Sequence, residues 1–226
     1  MIDFSNAKSI VIPEGEVAVI ARGAEILWQK PTTKYKEELS YIEGTGTQYI
    51  DTGFIPNQDT RVLTEHSYTK QPANRGFIYG AGVSATSRAF EMYTWGNNWN
   101  SPYGNNNITM SMSSSFLIGE KITIDKDKNN IIIQYADGAS QINSTKYVTF
   151  EAPRNMWLFA INRGNASADL RTDCVRLYCC KIWENDNLVR DFIPVLDGDD
   201  RPCIYDKVTD ALLYNQGTGE FLYGAI

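Results

Sequence analysis

Three aromatic and three amide side chains stand within nine positions of one another in the run YTWGNNWNSPYGNNN, residues 93–107: Trp95, Asn97, Asn98, Trp99, Asn100 and Tyr103. Aromatic rings stack on the C–H faces of sugars, and an Asn amide serves hydroxyls as donor and acceptor at once. The run therefore reads as a shallow carbohydrate site on an exposed loop. Gly96 and Gly104 let the chain turn, and Pro102 keeps part of it stiff. Two other readings stay open: Trp95 and Trp99 as plugs at the edge of the fold, or the whole run as a subunit contact.

Other residue types capable of chemistry are sparse. Glycosidases need two carboxylates about 5–9 Å apart across the sugar, and Glu91 in AFEMYTW stands alone among aromatics. His66 is the single histidine, so every Ser–His or metal–His constellation depends on it. It alternates within RVLTEHSYT and reads as a structural strand residue. Asp197, Asp199 and Asp200 in LDGDDRPCIYD form a weak candidate for Ca²⁺. Asp-Gly-Asp-Asp between strands is also ordinary turn chemistry, and the turn is favoured. Cys174, Cys179, Cys180 and Cys203 have neither CxxC nor zinc-like spacing. On a simple alternation Cys174 and Cys180 share one face of a strand and Cys179 the other. Buried, reduced thiols are expected. Neither a catalytic activity nor a cofactor is expected.

The chain has 226 residues and a formal charge of −6. That balance argues against nucleic-acid binding through phosphate contacts and against an anionic membrane surface. No apolar run approaches the ~18–20 residues of a membrane-spanning helix. MIDFSNAKSIVIPEGE has no basic region leading into a long apolar one, so folding in a reducing cytosol is expected.

The elements that must position these residues read as strands. In EKITIDKD, Ile122 and Ile124 point one way while Lys121, Thr123 and Asp125 point the other. Ile131, Ile133 and Tyr135 share a face in NNIIIQYADG, and Asp137-Gly138 predicts a tight hairpin with positive φ at both residues. MWLFAIN, apolar on both faces, predicts a central strand. CVRLYCCKIWENDNLVRDFIPVL predicts two long strands joined at Glu184-Asn185-Asp186-Asn187, and PCIYD, ALLYN and EFLYG predict shorter ones. About a dozen strands require two packed sheets. Residues 1–34 predict a separate β-meander of three short strands, SIVIP, EVAVIA and EILWQ. Its apolar residues (Ile10, Ile12, Val17, Val19, Ile20, Leu27 and Trp28) exceed what so short a segment can bury alone. They must pack on residues 35–226, or dock on a partner or on further copies of the chain. The docking role is favoured. A short echo links GTGTQYIDTGF, residues 44–54, with YNQGTGEFLYG, residues 214–224, and suggests similar turns.

EELSYIEGTGTQYIDTGF with the following IPN, and KIWENDNLVRDFIPVLDGDDRPCIYDKVTDALLYNQGTGEF, resemble a laminin-G-like, concanavalin-A-type jelly-roll family of phage and prophage structural proteins. IVIPEGEVAVIARGAEILWQK resembles leader segments ahead of such domains in tail-associated proteins. The resemblance spans most of residues 37–221 and implies an all-β, two-sheet antiparallel jelly-roll sandwich. It further implies a virion component of tail or fibre, made in the bacterial host cytoplasm. Such a component joins other virion proteins through its N-terminal segment as a homo-oligomer and binds host-surface glycan. The alternative is a purely structural element, such as a head-decoration or fibre protein, with no ligand of its own. The family brings no catalytic residues, and residues 93–107 carry none of its motifs.

Overall fold

The computed structural model describes residues 33–112, 118–164 and 172–226, with the backbone of residues 19–22 and 25–29. The chain divides into two compact units, Met1–Thr33 and Lys34–Ile226. In the first, β1 (Val19–Arg22) pairs antiparallel with β2 (Glu25–Gln29), with a bulge between Ile20 and Ala21. This places the backbone of Val19 and Ile20 opposite that of Gln29 and Trp28. The expected strand SIVIP, with Ile10 and Ile12, and Val17 lie outside the described residues.

The second unit is an all-β jelly-roll sandwich, and its described residues contain no helix. Its strands are β3 (Glu37–Glu43), β4 (Ile50–Asp51), β5 (Thr60–Tyr68), β6 (Arg75–Ala81), β7 (Ala89–Trp95), β8 (Asn98–Gly104), β9 (Asn106–Ser111), β10 (Ile122–Lys126), β11 (Asn130–Gln134), β12 (Ser140–Ser144), β13 (Trp157–Leu158), β14 (Val175–Glu184), β15 (Asn187–Leu196), β16 (Pro202–Asp206), β17 (Ala211–Leu213) and β18 (Leu222–Ala225). One sheet runs β12-β11-β10-β5-β14-β3-β15-β16-β17, with β18 also on β3. The other runs β4-β13-β6-β7-β8-β9. Period-two alternation drives the apolar residues of both inner faces into one core. Ile122, Ile124, Ile131 and Ile133 from the first sheet meet Tyr79, Phe90, Met92 and Trp99 from the second.

Turn chemistry fixes the register. Asn185 and Asp186 both take positive φ, 48° and 63°, which is the type I′ geometry of a two-residue hairpin between β14 and β15. At the β11–β12 hairpin only Gly138 does so, at 86°; Asp137 instead accepts the Ala139 N–H on its side chain. MWLFAIN forms a much shorter strand than its apolar pattern predicts. Phe159 turns to φ 63° and ends the strand after Leu158, although the segment does lie between β4 and β6 and Asn162 bridges back to Ala81.

A bulge between Leu177 and Cys179 also breaks the expected alternation in β14. It brings Cys180 onto the inward face with Val175 and Leu177 and leaves Cys179 half-buried. All four cysteines are free thiols, and burial raises Cys174 to about 11 and Cys203 to about 12. The echoed segments 44–54 and 214–224 lie against each other, and Gly46 and Gly219, at matching places in their Gly-Thr-Gly runs, both take positive φ, 104° and 70°. Gln216 and Thr218 N–H groups donate to the Tyr49 and Thr47 carbonyls, and Gln48 Nε2 donates to the Glu220 carbonyl. A Cβ on Gly217 would lie 1.9 Å from the Thr47 oxygen, so only glycine allows this approach.

Candidate functional site

Residues 93–107 are not an exposed loop. Trp95 ends β7, Gly96 and Asn97 make the turn, and Asn98 through Gly104 form β8 in the six-stranded sheet. Alternation then divides the six candidate residues between two faces. Trp99 and Tyr103 point inward and are plugs, 1% and 0% exposed. Trp99 Nε1 donates to Tyr135 Oη at 3.1 Å, and Tyr103 Oη donates to the Gln58 carbonyl at 2.6 Å. Neither can meet a ligand without opening the sandwich. Asn100 points outward but is buried; its amide donates to the Asn98 carbonyl and accepts from Thr109 Oγ1. Asn97 is exposed in the turn. Trp95 is 53% exposed.

What remains outward is a row across four strands. The register places Arg75 of β6 opposite Trp95 of β7, Trp95 opposite Asn98 of β8, and Asn98 opposite Ser111 of β9. At about 4.8 Å per strand the row spans roughly 14 Å. The next row, Phe77, Tyr93, Asn100 and Thr109, supports it from below; Phe77, Tyr93 and Ile161 form a small apolar cluster of their own. The Arg75 guanidinium carbon lies 4.8 Å from the Trp95 ring centroid and 5.8 Å from that of Tyr93. The row thus combines a half-open indole, a stacked guanidinium, an amide and a hydroxyl. Asn98 shares that face only if residues 98–104 are read as a strand, and Arg75 joins it only through the β6–β7 register. The abundance of Asn, Gly and Pro hid that strand.

Deeper in the same sheet lies a charged group that sequence reading missed. Glu91, expected as a lone carboxylate, is fully buried and takes both arms of Arg163, at 3.0 and 2.6 Å. Burial lifts its carboxyl above the ordinary range against the pull of that guanidinium. Lys126 reaches through the core from β10 in the opposite sheet. Its Nζ donates to the Glu91 carbonyl at 3.0 Å and the Pro102 carbonyl at 2.8 Å, over the Phe90 ring. Pro102 has no N–H, and the β7–β8 ladder is interrupted between the Phe90–Tyr103 and Tyr93–Asn100 pairs. Lys126 supplies the donor the ladder lacks. The alternation that turns Ile122 and Ile124 inward also turns Lys126 inward, and that was its signal.

The remaining candidates have structural roles. His66 is fully buried, its ring edge-on to Tyr68 and Trp99, and burial lowers it to about 3, so the imidazole is neutral. The three aspartates do not converge on a cation. Asp197 accepts the Asp199 and Arg201 backbone N–H groups and the Arg201 guanidinium; Asp199 also meets Arg201, and Asp200 meets Lys36. Among the described residues no group of three or more His, Cys, Asp or Glu side chains is placed to hold a metal. A cavity of about 260 Å³ lies beside this turn, lined by Arg201, Tyr214, Asn215 and Phe221, and Asp197 and Asp199 already neutralise its arginine.

The two packed antiparallel sheets define the class: an all-β jelly-roll sandwich. No family model matches the sequence, and no curated protein matches it. Among solved structures the chain is similar to the mouse laminin alpha1 chain, domains LG4-5, at 16% identity and a TM-score of 0.46. The similarity covers 67% of this chain and 43% of that one, less than half of its length.

Proposed function

We propose that the sandwich is a display module that binds cell-surface carbohydrate through the Arg75–Trp95–Asn98–Ser111 row. It serves as the adhesive part of a phage virion component, in multiple copies anchored through the N-terminal unit. The observation that carries the sugar reading is the half-open Trp95 indole, flanked on one sheet face by polar side chains able to serve hydroxyls. The virion setting rests on the resemblance of residues 37–57 and 181–221. A Trp side chain presents about 200 Å². Covering the open half with a pyranose contributes about 2.5 kcal/mol at ~25 cal/mol per Å². With hydrogen bonds added and the loss of ligand freedom subtracted, a single site binds no more tightly than the millimolar range, and useful adhesion comes from many copies.

The test is a glycan array probed with beads carrying many copies of the full chain. Wild-type beads should retain a subset of glycans, and Trp95→Ala beads should lose them with little change in melting temperature. Retention by a stable Trp95→Ala protein would place the sugar site elsewhere. Failure of wild-type beads to bind any glycan would favour the purely structural virion role.

A further inference from the structure

Resting on that reading of the row as a sugar site, we infer that the sugar it takes is acidic, carrying a carboxylate or phosphate that Arg75 holds beside the ring stacked on Trp95. The other ring-stacked arginines of the sandwich supply the contrast. Arg61 stacks on Trp183, Arg176 on Tyr41 and Arg201 on Tyr214, and each of them also holds a carboxylate: Asp125, Glu43 and Asp197. Arg163 has Glu91, and Arg190 has Asp206. Arg75 stacks on Trp95 and Tyr93 in the same manner, yet among the described residues it has neither a carboxylate nor a hydrogen-bond acceptor. Its Nε is buried and unpaired.

Glu91 is the carboxylate on that sheet face nearest in register, two outward positions along β7 from Tyr93's neighbour Trp95, and Arg163 already takes it in both arms. Arg75, Arg163 and Glu91 together carry one net positive charge, and Asp51, a further carboxylate on this face, lies on β4, two strands beyond β6. A partly desolvated cation without a counter-charge gains more from an incoming anion than a solvated one does. The guanidinium is already ordered by two rings, so little side-chain freedom is lost on binding. The end-on Nη pair is the approach left open, and it suits two oxygens of a carboxylate or phosphate. The position of that fork beside the indole calls for the anion and the stacked ring to belong to one sugar unit or its neighbour.

The full chain is titrated with glucuronate, glucose 6-phosphate, glucose and inorganic phosphate. Binding is followed on the Trp95 indole N–H resonance, assigned by its loss in Trp95→Ala. At low salt at least one of the two sugar acids should bind about fivefold more tightly than glucose, the scale of one partly exposed ion pair. The excess should shrink as salt is raised. Glucuronate as the tighter ligand assigns the site to carboxylated glycans, and glucose 6-phosphate to phosphate-bearing ones. Arg75→Gln should abolish the excess of acid over glucose measured in that same variant. Arg75→Lys, which keeps the charge without the fork, should fall between, and it decides the matter with the salt series if Arg75→Gln does not fold. Equal affinity for acids and glucose overturns this inference while the sugar site stands. Inorganic phosphate binding as tightly as glucose 6-phosphate also overturns it, since the site is then for an anion alone. If no sugar moves the Trp95 resonance, the inference and the proposed function both fail.

Discussion

Lys126 gives the sharpest test of how the two sheets are joined. Its ammonium is fully buried, and burial lowers its pKa from 10.5 to about 7. Below about pH 7 the folded and unfolded chains both carry the proton, and the fold bears the whole cost of the buried charge. Between about 7 and 10.5 the unfolded chain still binds the proton while the folded chain releases it, so stability rises with pH across that window. At about 1.4 kcal/mol per pH unit the displacement sets an upper bound of about 5 kcal/mol. The Glu91 and Pro102 carbonyls and the Phe90 ring favour the protonated form and pull the other way. A rise of about 2–3 kcal/mol is therefore expected.

Lys126→Met removes the titrating group and leaves both carbonyls without their side-chain donor, which costs about 1–3 kcal/mol. Urea unfolding of both proteins at pH 6, 7.5 and 9 measures the effect. Cysteines and tyrosines titrate in both proteins and cancel in the difference. The stability of wild type relative to the Met variant should grow with pH. A difference that stays flat from pH 6 to 9 would refute the buried, proton-releasing lysine.

The other expectations can be tested on the same purified protein. Trp99→Ala should cost about 3–5 kcal/mol in denaturant unfolding, as for a buried aromatic, while Trp95→Ala should cost less than about 1 kcal/mol; equal losses would contradict the division of the two tryptophans between faces. Gly217→Ala should lower the melting temperature by many degrees, because the new Cβ meets the Thr47 carbonyl oxygen, and an unchanged melt would sink that account. Reducing agent should leave the melting temperature unchanged, and in native protein iodoacetamide should label half-buried Cys179 before Cys174, Cys180 and Cys203. Deleting residues 1–34 should leave a folded sandwich by circular dichroism, with its assembly lost; an unfolded product would make the N-terminal unit part of the core.

Much of the sandwich was legible because its half-buried strands alternate. In β10 and β11 the buried Ile122, Ile124, Ile131 and Ile133 stand at every second position, β14 and β15 keep that period over parts of their length, and Asn185-Asp186 announces their hairpin. The six-stranded sheet was harder to read for a physical reason. AFEMYTW is buried on both faces through Thr94, so its polarity does not report which way a residue points. NWNSPYG has the composition of a loop, since Asn, Gly and Pro weaken strands in general. Here the weakness is met from outside the segment. Lys126 takes the carbonyls where Pro102 interrupts the ladder, and Tyr135 and Gln58 satisfy the polar ends of Trp99 and Tyr103.

The same tertiary contacts separate the candidate residues of the run into those the fold uses and those it leaves open. An aromatic, amide-rich run has to pair its polar groups wherever it lies, and local spacing does not say whether water, a sugar or the rest of the fold supplies the partners. In this chain the inward half found them within the sandwich. On the outward half, Asn100 also closed its bonds internally, through Asn98 and Thr109. Trp95 kept an open face, and Arg75, a residue outside the run altogether, kept an uncompensated charge. What singles out a candidate ligand site here is therefore not the density of sugar-compatible residues in sequence. It is the small remainder of aromatic surface and charge that the fold leaves unmatched after satisfying everything else, and that remainder is visible only once the strand register places Arg75 beside Trp95.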